Sequence, residues 1–278
     1  ITKHSDSYKV KKRTSNRLNL FVLLLFLIVI IIWKQGLIEK NISPIIQKIL
    51  WVLIGIAIAI SFIFVFGKIR NHRLLKSVTK SYRGTKSERD LVVKLLKHGI
   101  SPENIFHDLY VEKQNGEFSQ IDLVVLSSVG VIVFEVKDFS GWIYGNGNHS
   151  HWTKVLAYGK NKYRFYNPIM QNSKHIQVIR NQIKQLFSIP FYSIIVFYGD
   201  CVLKEVNFVP KETYLVKQKR LLEVIKIIEK ENEPVFYKNK NEILLAMKKA
   251  VLNGENKRTQ KQHIENINEM LGVDRIFD

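Results

Sequence analysis

Residues 121–137 read Ile121-Asp122-Leu123-Val124-Val125-Leu126, then Ser127-Ser128-Val129-Gly130, then Val131-Ile132-Val133-Phe134-Glu135-Val136-Lys137. Two runs rich in Val and Ile flank a four-residue polar and glycine segment, the signature of a β-hairpin. With Ser128 and Val129 as the turn residues, Ser127 faces Gly130 and paired positions sum to 257. Asp122 then falls opposite Glu135. Directly opposed residues have Cβ atoms about 4.5–5.5 Å apart, so two like charges repel unless a cation lies between them or one takes a proton. Strand alternation puts Glu135 and Lys137 on one face. The hairpin therefore offers two carboxylates and an ammonium at the end of otherwise apolar strands.

Metal-assisted phosphodiester hydrolysis needs such a group. Carboxylate oxygens hold Mg²⁺ (or Mn²⁺), which keeps several waters and binds phosphate. The metal makes a nucleophile of bound water, and a nearby lysine orients it or balances transition-state charge. The plain alternative is a cross-strand salt bridge of strand-end charges, which spacing alone does not separate from the first.

Outward from the hairpin, helix and strand alternate. Residues 87–97 read as a helix with Leu91, Val92, Leu95 and Leu96 on one stripe and Gly99 ending it. Glu88 lies on or beside that stripe. It either points at a cation or favours the helix N-terminus. Strands are expected at 105–111, 120–126, 130–138 and 191–198, with a weaker one at 213–216. Shorter antiparallel strands are expected at 142–144 and within 152–165. Helices are expected at 169–187, 218–232, 240–253 and 260–271. The order gives an α/β fold with a central mixed sheet flanked by helices.

The first third differs in kind. Residues 20–33 are 14 consecutive apolar residues, and 49–67 form a 19-residue run without a charge, separated by a segment containing Ser43-Pro44. A helix needs about 20 residues to span a bilayer; Leu18, Leu37 and Ile38 extend the first run. Two transmembrane helices over 18–67 are expected. A cleaved signal peptide fits the first run less well, because Trp33-Lys34-Gln35-Gly36 lacks the small-residue cleavage pattern.

The formal net charge is +19, and residues 1–82 hold 14 Lys/Arg against 2 acids. Six cations precede the first run, six occupy 68–83, and only Lys34, Lys40 and Lys48 lie between, so both ends are expected in the cytoplasm. Residues 1–17 form a basic N-terminus and 68–82 a basic linker that can gain about 1 kcal/mol per cation at anionic inner-leaflet lipid. The remainder, 83–278, is mildly basic and compatible with nucleic acid. It divides into a folded domain over 83–217 and a C-terminal helical extension over 218–278. A single cysteine excludes a disulfide scaffold and multi-cysteine metal sites. No glycine-rich phosphate loop occurs.

Several motifs in order resemble the nuclease-related domain, NERD. They are Gly84 followed by Glu88, Gly116-Glu117 before Gln120-Ile121-Asp122, and Glu135-Val136-Lys137. Gly141-Trp142-Ile143-Tyr144-Gly145 with Trp152, and Asn167-Pro168 with Gln171, complete the set. The resemblance covers about 83–190 and implies membership of the PD-(D/E)XK nuclease superfamily, with a restriction-endonuclease-like mixed sheet. It implies metal ligation by Asp122, Glu135 and the Val136 carbonyl, with Glu88 as the helix acid. It also implies catalysis by Lys137, and Gln171, or less readily Gln120, as an accessory polar residue. The usual Pro-Asp is Ile121-Asp122 here. The expected function is membrane-anchored, divalent-metal-dependent hydrolysis of DNA. A non-catalytic tethered module binding nucleic acid or protein is the alternative.

Other candidates are weaker. His149 and His151 could share a face but lack a third ligand. His175, four residues after Gln171, could reach the site or be a half-exposed polar residue. Cys201 fits a small buried hydrophobe. Trp142 and Trp152 suit packing or base stacking.

Overall fold

The computed structural model describes residues 43–156, 159–186 and 188–271. The expected basic N-terminus and the first apolar run lie outside them. The chain divides into two compact units, 1–71 and 72–278. Among the described residues of the first unit, one helix, α1 (Pro44–Lys76), is long and apolar enough to cross a membrane, with mean hydropathy 2.9 and none of its apolar window buried. At about 1.5 Å per residue its 33 residues exceed a ~30 Å hydrocarbon core. Pro44 suits the first helical position, where its missing N–H costs nothing. This helix contains the second expected run, and the first expected span lies outside the described residues.

The second unit begins its fold with α2 (Lys86–Lys97). A capping box starts it: Thr85 accepts from Glu88 N, and the Glu88 side chain accepts from Thr85 N. Leu91, Val92 and Leu95 are buried. Among the described residues, nine strands follow, interleaved with four more α-helices. They are β1 (Ile105–Glu112), β2 (Phe118–Ser127), β3 (Gly130–Asp138), β4 (Gly141–Asn146), β5 (His151–Leu156) and β6 (Asn161–Tyr166). Then come α3 (Pro168–Gln182), β7 (Phe191–Tyr198), β8 (Cys201–Asn207), β9 (Thr213–Lys217), α4 (Leu221–Glu231), α5 (Lys240–Asn253) and α6 (Lys257–Leu271).

The strands make two sheets rather than one. The larger runs β1-β2-β3-β7-β9, antiparallel through β3 and parallel beyond it. The smaller runs β6-β5-β4-β8. The fold is therefore mixed α/β, with mixed sheets flanked by helices. Strand β8 is absent from the sequence expectation, because its Lys204-Glu205 pair interrupts the apolar pattern.

The hairpin register is the expected one: Ser127 pairs Gly130 and Leu123 pairs Phe134. Ser127 Oγ closes the turn by donating to Gly130 O at 2.8 Å. Glycine is required at 130, where φ is +146° and a Cβ would stand 2.5 Å from Pro190 O.

Apolar side chains cover both faces of the larger sheet. On one, Leu123, Val125 and Phe134 pack with Leu91 and Leu95 of α2 and Ile225 and Ile228 of α4. On the other, Val124, Leu126 and Val133 pack with Ile179 of α3 and Ile243 and Met247 of α5. Fully burying such a side chain contributes about 1.5–3 kcal/mol. Helices α4 and α5, in the expected C-terminal extension, thus pack into the core of the sheet. Arg83 reinforces this: it donates to Asp108 Oδ2 at 3.0 Å, Asp108 O at 2.6 Å and Val251 O at 2.8 Å.

Candidate functional site

The site forms where strand β2 turns its faces over. In a regular strand, residues 121 and 123 share a face. Here Ile121 packs with the α3–α5 side and Leu123 with the α2–α4 side. The neighbouring position on β1, Asp108, has φ +56°, a conformation costly for a non-glycine residue. Buried Arg83 holds it, and Gln120 donates to its Oδ1 at 2.9 Å. Gln120 is thereby committed away from the carboxylate pair.

The flip leaves Asp122 beside the edge of β3. Its Oδ2 accepts the backbone N–H of Val136 at 2.8 Å, continuing the ladder past Leu123 and Phe134 with a side chain. Strand alternation sends the N–H and C=O of one residue toward the same neighbour. The Val136 carbonyl therefore faces the Asp122 side.

Glu135 is buried and has two basic side chains beside it. Lys137 Nζ donates to its Oε1 at 2.5 Å, and His175 Nε2 lies 3.4 Å from its Oε2 without a hydrogen bond. Lys137 Nζ also donates to Gln171 Oε1 at 2.9 Å. His175 Nδ1 is 3.0 Å from Ser119 Oγ. Helix α3 presents Gln171 and His175 four residues apart on one face. Its N-cap, Asn167, accepts from Ile169 N at 2.9 Å. The expected half-exposed His175 is in fact buried against Glu135, and the four-residue spacing from Gln171 was the signal for it. Ser119 carried no such signal.

Glu88 sits at the start of α2, its Oε1 accepting from Thr85 N at 3.1 Å and its Oε2 3.3 Å from His107 Nε2. His107 in turn contacts Thr79 Oγ1 at 3.0 Å. Glu88 thus serves the helix N-terminus and a buried histidine, yet its charge still reaches Asp122.

The three acids titrate apart. Burial pushes the Asp122 carboxyl well up, and the charges of Glu135 and Glu88 push it further; the Val136 N–H and Lys137 oppose them. Burial also acts upward on Glu135, but Lys137 and His175 outweigh it and hold that carboxyl below the usual range. Burial is outweighed at Glu88 too, by His107 and Thr85. The two neighbouring carboxyls are thus shifted in opposite directions.

Among the described residues, no group of three or more His, Cys, Asp or Glu side chains is placed to hold a metal. The oxygen set at the site is two carboxylates and one carbonyl. Glu135 Oε2 is a buried oxygen with no hydrogen-bond partner, and Asp122 carries an acid-on-acid charge that a cation would relieve. Two carboxylates with several waters suit Mg²⁺, so these residues fit the ion.

The other candidates settle elsewhere. His149 and His151 are exposed, and His151 contacts Ser150 and the edge of Tyr166. Cys201 is buried, with Lys217 Nζ 3.3 Å from its Sγ. Trp152 is 1% exposed and packs in the core between the sheets, whereas Trp142 is half-buried.

A mixed-sheet α/β domain with two neighbouring acids and an adjacent lysine is the class these observations define. Residues 83–198 match the family model described as the nuclease-related domain, NERD. An uncharacterized protein of Bacillus anthracis is 32% identical over 145 residues, covering 51% of this chain and 66% of that protein. The match thus spans just under two thirds of the relative's length. No solved structure matches the chain.

Proposed function

We propose that the chain is a membrane-anchored nuclease that hydrolyses DNA phosphodiesters with a divalent metal, Mg²⁺ or Mn²⁺, on a restriction-endonuclease-like core. The observation that carries this reading is the cluster at the end of β2 and β3: Asp122 accepts the Val136 N–H, Glu135 is buried, and Lys137 donates to both Glu135 and Gln171. Asp122, Glu135 and the Val136 carbonyl would hold the ion; Glu88 adds negative potential from the helix.

When bound, the ion supplies a low-pKa water and neutralises charge on the phosphate. The chain's own residues do the rest. Lys137 stands where it can stabilise negative charge developing on a phosphoryl oxygen. Gln171 accepts from that ammonium, and His175, in contact with Ser119, borders Glu135. Asp122, Lys137 and Gln171 all keep some surface exposed, as a polymeric substrate requires.

Helix α1 supplies the anchor, and the basic residues after it suit anionic inner-leaflet lipid. A two-span topology with both termini in the cytoplasm is part of the same proposal. A second reading has one observation in its favour: the Lys137–Glu135 ion pair closes by itself. In that case the acids are structural, and the tethered domain binds nucleic acid or protein without cutting.

The test uses the full chain in detergent, with supercoiled plasmid and Mg²⁺, beside Asp122→Asn, Glu135→Gln and Lys137→Ala. Cutting by wild type that each substitution reduces at least a hundredfold supports the nuclease. Plasmid binding without cutting in all four supports the module.

A further inference from the structure

The smaller sheet has a face that the proposed chemistry does not use. Its inner side, with Ile143, Trp152 and Cys201, packs against Ile195 and Phe197 of the larger sheet. Its outer side follows from the register. Lys162 pairs Val155, which pairs Trp142; Arg164 pairs Thr153, which pairs Tyr144. Lys162, Trp142, Arg164 and Tyr144 therefore share one face, opposite the buried Ile143 and Trp152. Lys162 and Arg164 are exposed, and both rings are partly so. Lys204 of β8 places its Nζ 5.2 Å from the Trp142 ring centroid.

Charge runs one way along this segment. From Phe139 to Gly199 the sequence has seven Lys/Arg and no Asp or Glu across 61 residues. The +7 of the region after residue 82 could have been spread evenly; instead, this stretch carries it all. Glu205, beside Tyr144, is the acid that faces it from β8. The sheet is also fastened to the helix of the candidate site. Asn167, at the N-terminus of α3, donates to Asn146 O at 3.2 Å, Gly147 O at 3.0 Å and His149 O at 2.8 Å. Gln171 lies one helical turn beyond.

Flat aromatic rings interleaved with cations on an open sheet face match unpaired nucleotides. The rings stack on base faces, and the cations meet the phosphates. A duplex hides its base faces, so rings gain little from it. We infer that the outer face of β6-β5-β4-β8 binds single-stranded DNA, with Trp142 and Tyr144 as stacking platforms and Lys162, Arg164 and Lys204 as phosphate contacts. The choice of DNA rests on the nuclease reading; the binding does not. The face would hold an unpaired strand beside the cutting site, making frayed, nicked or displaced strands the preferred substrate.

The experiment measures fluorescence anisotropy of labelled dT20 with the full chain in detergent and EDTA, so that no metal-dependent cutting intervenes. A duplex of the same length and rU20 are the comparison ligands. The expected order is dT20 tightest. Lys162→Glu with Arg164→Glu weakens dT20 at least tenfold and lowers the slope of log affinity against log salt by about 1.4. Trp142→Ala weakens it about tenfold, while Trp142→Phe, which keeps a ring, stays within about threefold. Unchanged affinity in the charge reversal, equal affinity of the Ala and Phe variants, or tighter binding of duplex or rU20 overturns the inference. The expected binding pattern without plasmid cutting retains this surface and removes the nuclease. Cutting with binding insensitive to these substitutions does the reverse.

Discussion

Asp122 Oδ2 accepts the backbone N–H of Val136 at 2.8 Å, so a side chain takes the place of a strand's own carbonyl between β2 and β3. The contact aims the carboxylate along the sheet, at the residue between Glu135 and Lys137, and ties the acid's position to the register of the hairpin.

That position is costly for a charge. The Asp122 carboxyl is raised by burial and by Glu135 and Glu88 above its ordinary value of 3.8. The folded chain therefore holds a proton that the unfolded chain has shed, and stability falls as pH rises from about 4 through the folded pKa. Asp122→Asn keeps an acceptor for Val136 N–H and removes the charge. The variant should melt above wild type at pH 7 in EDTA, and the gain should fade below pH 4. Thermal melts across pH check this; a variant less stable than wild type at pH 7 would count against it.

The Lys137–Glu135 pair should show strong coupling. Breaking a fully buried pair by removing one partner costs about 3–5 kcal/mol. The Lys137 side chain is 17% exposed, which lowers the figure for Lys137→Met to about 2–3 kcal/mol. Adding Glu135→Gln should recover most of it, since the uncompensated carboxylate is then gone. A double-mutant cycle in urea measures the coupling. Strictly additive losses would show that the ammonium does not support the carboxylate.

Arg83 predicts a stability effect separate from the carboxylates. Its guanidinium is 2% exposed and binds Asp108 and Val251 O. Arg83→Met leaves the buried Asp108 carboxylate without its ion-pair partner, with Gln120 still donating to its Oδ1, and should lower stability by about 3–5 kcal/mol. A loss under about 1 kcal/mol by urea unfolding would remove Arg83 from its role in holding the β1 bend.

Helix α1 predicts location. Removing residues 1–71, the first compact unit, should move the protein from the membrane pellet to the supernatant. The intact chain should resist carbonate extraction and require detergent. Release of the intact chain by carbonate would contradict a spanning helix.

The parts of the site legible in sequence were those fixed by local rules. A two-residue turn sets the pairing sum, so the nearness of Asp122 and Glu135 followed from counting. Glu135 and Lys137 share a face by alternation, and the place of Glu88 at the start of its helix followed from the apolar stripe after it. What escaped depends on distant partners. The bend at Asp108 and Asp122 is held by Arg83, whose guanidinium also reaches Val251 from the far end of the chain. Nothing near residue 122 encodes that bend. Helices α4 and α5 are amphipathic in sequence, but an apolar stripe does not name what it packs against, so they read as an extension when they form core. The second sheet was missed as a unit because its partner strand β8 carries charges at Lys204 and Glu205.

The claim on which the rest depends is that Asp122 and Glu135 together hold a divalent ion. Electron paramagnetic resonance of Mn²⁺ added to the full chain in detergent measures this most directly. The account predicts bound Mn²⁺ in wild type, lost in both Asp122→Asn and Glu135→Gln and kept in Lys137→Ala. Bound Mn²⁺ that survives both acid substitutions, or none in wild type at millimolar ion, would contradict it.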